Sequence, residues 1–326
     1  MTTPSEASRA SSRSGDRRDG PTVSVVIPAY NAEGFIAETL DSVLAQTFQD
    51  YEVVVVDDGS VDDTRGVVES YDESRFRYIR QENGGASRAR NRGIAASSGE
   101  FIAFLDSDDL WVPEKLERQV EAFRENPSLG LVSTLHDAHS PETGEQEMSG
   151  LRKRERLFSG PSVIHNIVAW SGLATPTVMV PRRVLDEVGV FDPELRSGED
   201  DNLWIRITAR HPAELVDEVL VHCRLREGSL STDHSIMFHD VLKSLDQLTA
   251  DPEIAPLVRD AVPIRRARVL WNRGYHHFAA GRGHQARTSF LASLRVNPWN
   301  LGGWIYLVLS CLPGRLVTTL RAMKQS

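Results

Sequence analysis

Three carboxylates fall within four positions, at Asp106, Asp108 and Asp109, directly after the uncharged apolar run 101–105. Carboxylates that close repel one another and raise each other's pKa unless a cation sits among them. Hard divalent cations such as Mg2+ or Mn2+ take one or two carboxylates and leave their remaining coordination to water and substrate phosphates. A second acidic group, Glu199, Asp200 and Asp201, heads a segment with Leu203, Trp204 and Ile207 at helical spacing. A third, Asp57 and Asp58, ends the run 51–56. Each cluster alone is equally an Asp-rich helix cap. Arg88, Arg90 and Arg92 lie on more than one face of a helix, so at most two can address one anion.

The elements that must carry these groups are short apolar strands alternating with helices. Strands are expected at 23–28, 51–56, 76–79, 101–105 and 129–133, the first two rich in β-branched residues. Helical spacing covers 33–44, 64–71, the stretch opened by Gly84 and Gly85, and 113–125, with Pro113 in the first turn. Further on, 175–180 and 215–223 read as strands, 182–188 as a helix closed by Gly189, and 136–155 as a polar mobile loop. This alternation predicts a mainly parallel sheet covered by helices, with ligands at the carboxyl ends of its strands. The turns 28–31, 57–60 and 106–109 all belong to that edge.

The formal charge of −9 hides an asymmetry. Residues 257–326 hold ten Arg and one Lys against the single acid Asp260, and 1–20 hold four Arg against three acids, so 21–256 carry a net −20. So acidic a body argues against a nucleic-acid partner. Cys223 and Cys311 give neither a disulfide framework nor a zinc pattern, which points to a reducing compartment. Residues 1–20 have no apolar run and read as a disordered tail rather than a signal peptide or membrane span.

Five blocks together carry a resemblance: SVVIPAYN at 24–31, VVVDDGSVDDT at 54–64, NGGASRARNRGI at 83–94, FLDSDD at 104–109 and GEDDNLW at 198–204. In order and spacing they are similar to the inverting glycosyltransferases of family two, over roughly residues 21–233. The resemblance implies the GT-A fold, a nucleotide-sugar donor (a UDP-sugar for preference), Mn2+ or Mg2+, and a glycan or lipid-linked acceptor of a bacterial cell envelope. By position it implies that Pro28, Ala29, Tyr30 and Asp58 line the nucleoside pocket, with Glu33 nearby. Asp58 would accept from the base. Arg88 would lie by the diphosphate, with Arg90 as the alternative. Asp106-Ser107-Asp108 matches the DXD motif, Asp106 toward ribose and Asp108 on the metal. The general base would come from GEDD, Asp200 first and Glu199 second. One departure stands out: Arg226 occupies the place where many members have His. Arg cannot ligate a metal but pairs well with phosphate, so Arg226 is expected to clamp the diphosphate.

Two other classes compete. A sugar-1-phosphate nucleotidylyltransferase needs a Gly-rich basic loop after the first strand, where this chain has PAYNAEG. A non-catalytic sugar-nucleotide-binding protein would not need carboxylates at 106, 108 and 200. Trp111 could stack on an acceptor sugar or pack beside Pro113, Thr175 is expected to border the acceptor, and Trp204 is expected in the core. His222 and Cys223 read as a buried strand end.

The chain is expected to divide into a tail 1–20, a catalytic domain 21–233 and a helical region 234–326. Within the last, Trp271, Tyr275, Phe278, Ala286, Phe290 and Leu294 resemble one tetratricopeptide-like hairpin, which cannot bury its own face and must pack on the body. The apolar run 299–312 is too short and Gly-interrupted for a membrane span. With its Trp residues and basic flank it suggests contact with a membrane surface. The expected location is cytoplasmic, at the inner face of the plasma membrane.

Overall fold

The computed structural model describes residues 20–139, 146–147, 163–170, 173–224 and 234–312. Its first half is a parallel sheet. Strands β1 (Val23–Ala29), β2 (Tyr51–Asp57), β3 (Phe76–Arg80) and β4 (Phe101–Phe104) stand in the order β3-β2-β1-β4. Helices α1 (Ile36–Leu44), α2 (Thr64–Glu69) and α3 (Ala86–Ala96) make the crossovers. Both β1 and β2 are Val-rich and almost wholly buried, as strands covered on both faces must be. Register sets the functional edge: Ala29 pairs with Asp57, Val26 pairs with Phe104, and Leu105 N–H donates to the Val26 carbonyl. Asp58 and Asp106 therefore leave the sheet on the same side.

Beyond β4 the sheet turns mixed. The elements are β5 (Leu110–Trp111), α4 (Lys115–Glu125), β6 (Leu131–His139), β7 (Gln146–Glu147), α5 (Val163–Trp170), a 3-10 turn at Thr175–Thr177, β8 (Met179–Pro181), α6 (Arg182–Val188), α7 (Glu199–Thr208) and β9 (Ala213–Arg224). Strand order continues β4-β8-β6-β9-β5, with β8 antiparallel to both neighbours, β6 parallel to β9 and β5 antiparallel to it. Sequence reasoning anticipated the parallel part. The antiparallel strands are set by long-range pairing that local patterning does not carry.

The strand expected at 175–180 splits because Pro176 has no N–H for a ladder, so its first half winds into the 3-10 turn. The loop expected at 136–155 begins later, since 136–139 continue β6. Apart from Gln146–Glu147 the rest of that loop lies outside the described residues, as do residues 1–19.

The remaining elements are α8 (His234–Ala250), α9 (Ala255–Val258), α10 (Ala261–Ala279), α11 (Gly283–Val296) and α12 (Leu301–Leu309). Ala261, Val262 and Val269 of α10 join the same core as Phe104, Phe191 and Trp204, so this helix packs on the body. At the far end α10 and α11 approach closely: a Cβ on Gly274 would sit 2.6 Å from the Phe290 ring. Phe278, Ala286 and Phe290 form a small core there, closed over by Trp271 and Tyr306. No described helix is long and apolar enough to cross a membrane.

Gly99 marks where the α3–β4 connection presses on β1. A Cβ there would stand 2.6 Å from the Ser24 amide nitrogen, and Gly99 N–H donates to Ser24 Oγ at 2.7 Å. Backbone cannot retreat as a side chain can. Gly99→Ala is therefore expected to lower unfolding free energy by about 1–3 kcal/mol, read as a lower denaturation midpoint at unchanged slope.

Candidate active site

The loops after β1 and β2 are tied to each other. Asn31 takes a left-handed conformation (φ 49°), which a short polar side chain tolerates. Its N–H donates to Ser60 Oγ at 2.9 Å, and its Oδ1 accepts from Val61 N–H at 2.9 Å. Ala32 N–H donates to Thr64 Oγ1 (2.8 Å), Glu33 N–H to Asp62 Oδ2 (3.0 Å), and Asp63 N–H returns to Glu33 Oε2 (2.7 Å). Glu33 is thus a strut between loops. Asp57 is fully buried and accepts from Ser60 N–H at 2.7 Å and from the Tyr78 hydroxyl. Burial would raise its pKa, but these hydrogen bonds outweigh burial and hold it below the ordinary value.

Asp58 fixes the start of α3. Its Oδ1 accepts from Gly84 N–H (2.8 Å) and Gln81 Nε2 (2.7 Å), and its Oδ2 from Gly85 N–H (2.7 Å). A carboxylate offers about four lone-pair positions, so room for one ligand donor remains. Gly85, at φ 88°, turns the chain into the helix. Beside this anchor Ala29 is buried, Tyr30 is half exposed, and Pro28 lies between those extremes. Arg88 is exposed, its stem lying over Gly84, where a Cβ would meet Arg88 Cδ at 2.7 Å.

Arg90, unlike Arg88, is turned inward. It is buried, with Nη1 donating to Glu199 Oε1 and Nη2 to Asp106 Oδ1, each at 2.8 Å. One guanidinium thus joins the carboxylate after β4 to the first carboxylate of α7. Its planar fork suits two carboxylates at once, and Phe191 lies under it at 5.4 Å. Both hydrogen-bonding arms are committed inside the protein, which leaves Arg88 as the exposed cation of the pair.

In the 106–109 turn, Asp106 and Asp108 are partly exposed while Ser107 and Asp109 are buried. The Ser107 carbonyl accepts from Thr39 Oγ1 at 3.0 Å, so the turn is pinned to α1. Asp109 Oδ1 accepts from Arg224 N–H at 2.8 Å, yet burial, then the charges of Asp106 and Asp108, drive its carboxyl well above the usual range. Among the described residues no group of three or more His, Cys, Asp or Glu side chains is arranged to hold a metal ion by itself.

The three acids in the first turn of α7 are treated differently, and all benefit from the helix dipole. Glu199 is buried against Arg90. Asp201 pairs with Arg265 of α10 at 3.2 Å. Asp200 keeps partial exposure and accepts from Thr175 Oγ1 at 3.2 Å and from Asp201 N–H at 2.7 Å. The turn carrying Thr175 is braced from below. Trp111 Nε1 donates to the Pro176 carbonyl (3.0 Å), and Gln119 Nε2 donates to the Thr177 (2.9 Å) and Val132 (2.8 Å) carbonyls. Lys115, fully buried, donates to Gln119 Oε1 at 2.7 Å and lies 3.9 Å over the Trp111 ring. Burial holds its amine well below the usual lysine pKa.

Some expectations change as a result. Trp111 cannot stack on a sugar: it is only 3% exposed, between Lys115 and Pro176. Thr175 is buried, and its hydroxyl donates to Asp200. Arg226 lies outside the described residues. Trp204 is in the core as expected. His222 is not buried; it is partly exposed and bonds the buried Asp137 at 2.7 Å. Sequence reasoning missed Tyr78, Gln119 and Lys115, none of which stands in a motif. Lys115 and Gln119, polar at i and i+4 on the face of α4 that carries Leu116, Val120 and Phe123, are the one signal that could have been found. A cavity of about 380 Å3 lies behind α7, lined in part by Asp192, Asn202, Arg206 and Gln247, and holds none of these carboxylates.

The acidic edge and its order along the chain can be compared with known proteins. The family described as Glycosyl transferase family 2 matches residues 24–173. WfgD of Escherichia coli, a UDP-Glc:alpha-D-GlcNAc-diphosphoundecaprenol beta-1,3-glucosyltransferase, is 44% identical over 220 residues, 66% of this chain and 81% of that protein. TuaG of Bacillus subtilis, a putative teichuronic acid biosynthesis glycosyltransferase, is 31% identical over 217 residues, 65% and 82% of the two chains. The chain spans about a third of the length of the first curated relatives it matches. Among them, an uncharacterized glycosyltransferase of Rickettsia conorii is 35% identical over 208 residues, 64% of this chain and 33% of that protein. In structure, S. aureus TarS 1-349 in complex with UDP-GlcNAc superposes with a TM-score of 0.64 at 22% identity, over 84% of this chain and 81% of that one. The mannosyltransferase PcManGT of Pyrobaculum calidifontis, in complex with GDP-Man and Mn2+, gives 0.59 at 19%, over 86% and 88%. Five sequence blocks in order, a matching family and two relatives covered over most of their length lead to one assignment: the chain belongs to glycosyltransferase family 2 and has the GT-A fold.

Proposed function

We propose that this glycosyltransferase moves a sugar from a nucleotide-sugar donor of the UDP class to a glycan or lipid-linked acceptor of a bacterial cell envelope, with inversion at the anomeric carbon and Asp200 as general base. Residues 21–233 form its catalytic part and 234–326 a helical region, working at the cytoplasmic face of the plasma membrane. The observation that carries the reading is Arg90, whose two arms at 2.8 Å draw Asp106 and Glu199 together. Their chain neighbours Asp108 and Asp200 then serve donor and acceptor at one place. The name of WfgD supports a UDP donor and a lipid-linked acceptor. TarS bound to UDP-GlcNAc supports the same donor class, and PcManGT with GDP-Man keeps the base as the point to be measured.

The residues fit a divalent ion of the kind that one carboxylate and substrate oxygens hold together. Asp108, partly exposed in a turn crowded with acid, would hold Mn2+ or Mg2+. When bound, such an ion offsets the charge growing on the departing diphosphate. Arg88 adds its cation beside the phosphates, and Arg226 is proposed to do the same. Asp58, Tyr30, Ala29 and Pro28 flank the nucleoside, and Asp106 faces the ribose. Asp200 accepts the proton of the acceptor hydroxyl as its oxygen bonds the anomeric carbon. The carbon–oxygen bond to the diphosphate breaks on the opposite face. One displacement inverts the centre and needs no covalent glycosyl-enzyme. Thr175 orients the Asp200 carboxylate for this transfer.

Incubation with a nucleotide-sugar panel and Mn2+ tests the reading. Nucleoside diphosphate release, fastest with a UDP-sugar, is expected. Pyrophosphate from a nucleoside triphosphate would instead mark a nucleotidylyltransferase, and neither product would mark a binding protein. Asp108→Asn should weaken Mn2+-dependent binding of the diphosphate in calorimetry while leaving metal-free folding intact; unchanged affinity would remove Asp108 from the metal. Asp200→Asn should keep donor affinity and slow transfer about 10²–10⁴-fold, the usual weight of general-base catalysis. Near-normal turnover would move the role to a neighbour.

Glu199 is a poorer candidate for a permanent base. Burial first, and the charge of Asp200 second, raise its pKa to about 7 although Arg90 pulls it down. An acid whose folded pKa is raised gives its full stabilisation below the unfolded value and loses it as pH climbs through the folded one. Wild type should therefore lose unfolding free energy relative to Glu199→Gln as pH rises from 4.5 to about 7. Parallel stability–pH curves for the two proteins would show instead that folding does not raise the Glu199 pKa.

A further inference from the structure

α12 presents a surface that the catalytic reading does not use. Its inner side is settled: Gly303 meets Leu294, and Tyr306 packs edge-on against Trp271, Tyr275 and Phe278 with ring centroids 5.3–5.9 Å apart. Its outer side carries Leu301, Trp304, Ile305 and Val308, spaced i, i+3, i+4 and i+7 along one face. These are 72%, 48%, 50% and 63% exposed, and Trp299 just before the helix is 91% exposed. A continuous apolar stripe turned to solvent marks an interaction surface.

The charge around the stripe favours one occupant. Residues 296–314 contain no charged side chain, and no acid occurs anywhere from 261 to the end of the sequence. Arg295, exposed, precedes the stripe, and Arg315, Arg321 and Lys324 follow it in the sequence. A second copy of this chain would offer these cations no acid from its own corresponding segment. A surface of anionic lipid attracts them instead, and Trp residues settle where headgroups meet acyl chains. Nine residues span roughly 14 Å, about half the hydrocarbon thickness, so this helix can lie in the interface but not cross it.

The stripe also stands in a useful relation to the proposed base. α10 contacts α7 through Arg265 and Asp201, and α12 through Tyr275 and Tyr306. Those two contacts are separated by roughly 15 Å along the α10 axis. We infer that α12, with Trp299, docks the enzyme onto an anionic membrane surface through Leu301, Trp304, Ile305 and Val308. This extends the lipid-linked-acceptor part of the proposed function, because it brings the α7 carboxylates to a substrate held in the membrane.

The test uses the full chain with no nucleotide or acceptor present, so it stands apart from the catalytic reading. Co-sedimentation is measured with vesicles of phosphatidylglycerol and phosphatidylcholine, and with phosphatidylcholine alone. Binding to the anionic vesicles is expected, weakened by salt. A triple variant Leu301→Ser, Ile305→Ser, Val308→Ser should bind at least about tenfold more weakly. These side chains are exposed, and an unchanged melting temperature confirms the fold. Equal binding by variant and wild type, or binding by neither, overturns the inference. So does concentration-dependent dimerisation of wild type that the variant lacks, since the stripe would then belong to a second copy. Failed vesicle binding with normal nucleoside diphosphate release would sink this inference and leave the proposed reaction standing.

Discussion

Arg90 is the contact on which the arrangement of the site depends. It sits on a helix of the parallel half of the sheet, and its arms reach the carboxylate after β4 and the carboxylate that opens α7. Its Nε is buried with no hydrogen-bond partner among the described residues, so the guanidinium is held by its two arms and by the Phe191 ring. A buried cation is tolerable only while it is paired, and without these two carboxylates the Arg90 charge would stand uncompensated in a poorly hydrated place. Beneath it Phe104, Phe191 and Trp204 pack edge and tilt against one another, which fixes β4 relative to α7. Two acidic clusters about ninety residues apart in sequence thus become one site.

The same constraint governs the loops after β1 and β2. Asp58 spends most of its acceptor capacity on Gly84, Gly85 and Gln81. Asn31, Glu33 and Asp62 knit the first loop to the second. Conserving the shape of two loops requires as many polar groups as contacting a nucleotide would. Family resemblance marks such positions as important without telling a strut from a ligand. Glu33 shows this most plainly, since its carboxylate accepts a backbone N–H from Asp63.

The parallel strands and their crossover helices were legible because a strand buried on both faces must be an apolar β-branched run, and 23–28 and 51–56 are such runs. The acidic turns were legible because three carboxylates in four residues is costly without a reason. What could not be read was decided by partners distant in the chain. β5 is two residues long and exists through its pairing with β9. Trp111 looks like a sugar platform in a motif, but the Pro176 carbonyl 65 residues later claims its N–H. Arg88 and Arg90 are indistinguishable by spacing, and only the position of α7 makes one internal and the other external. The end of α12 was read as apolar; which of its residues face outward depended on Tyr306 turning in.

β1 and β2 end in register while β4 ends at Phe104 opposite Val26, three residues short of the end of β1, so the loops they feed leave one sheet edge from neighbouring strands about 4.8 Å apart. Across the Arg90 seam the other half of the site rests on α7, the 3-10 turn and the polar brace of Trp111, Lys115 and Gln119. The two halves share this guanidinium, the Phe104, Phe191 and Trp204 packing, and the β4–β8 ladder. A change in either half has to keep that shared packing, so the two sides of the site are constrained to vary together.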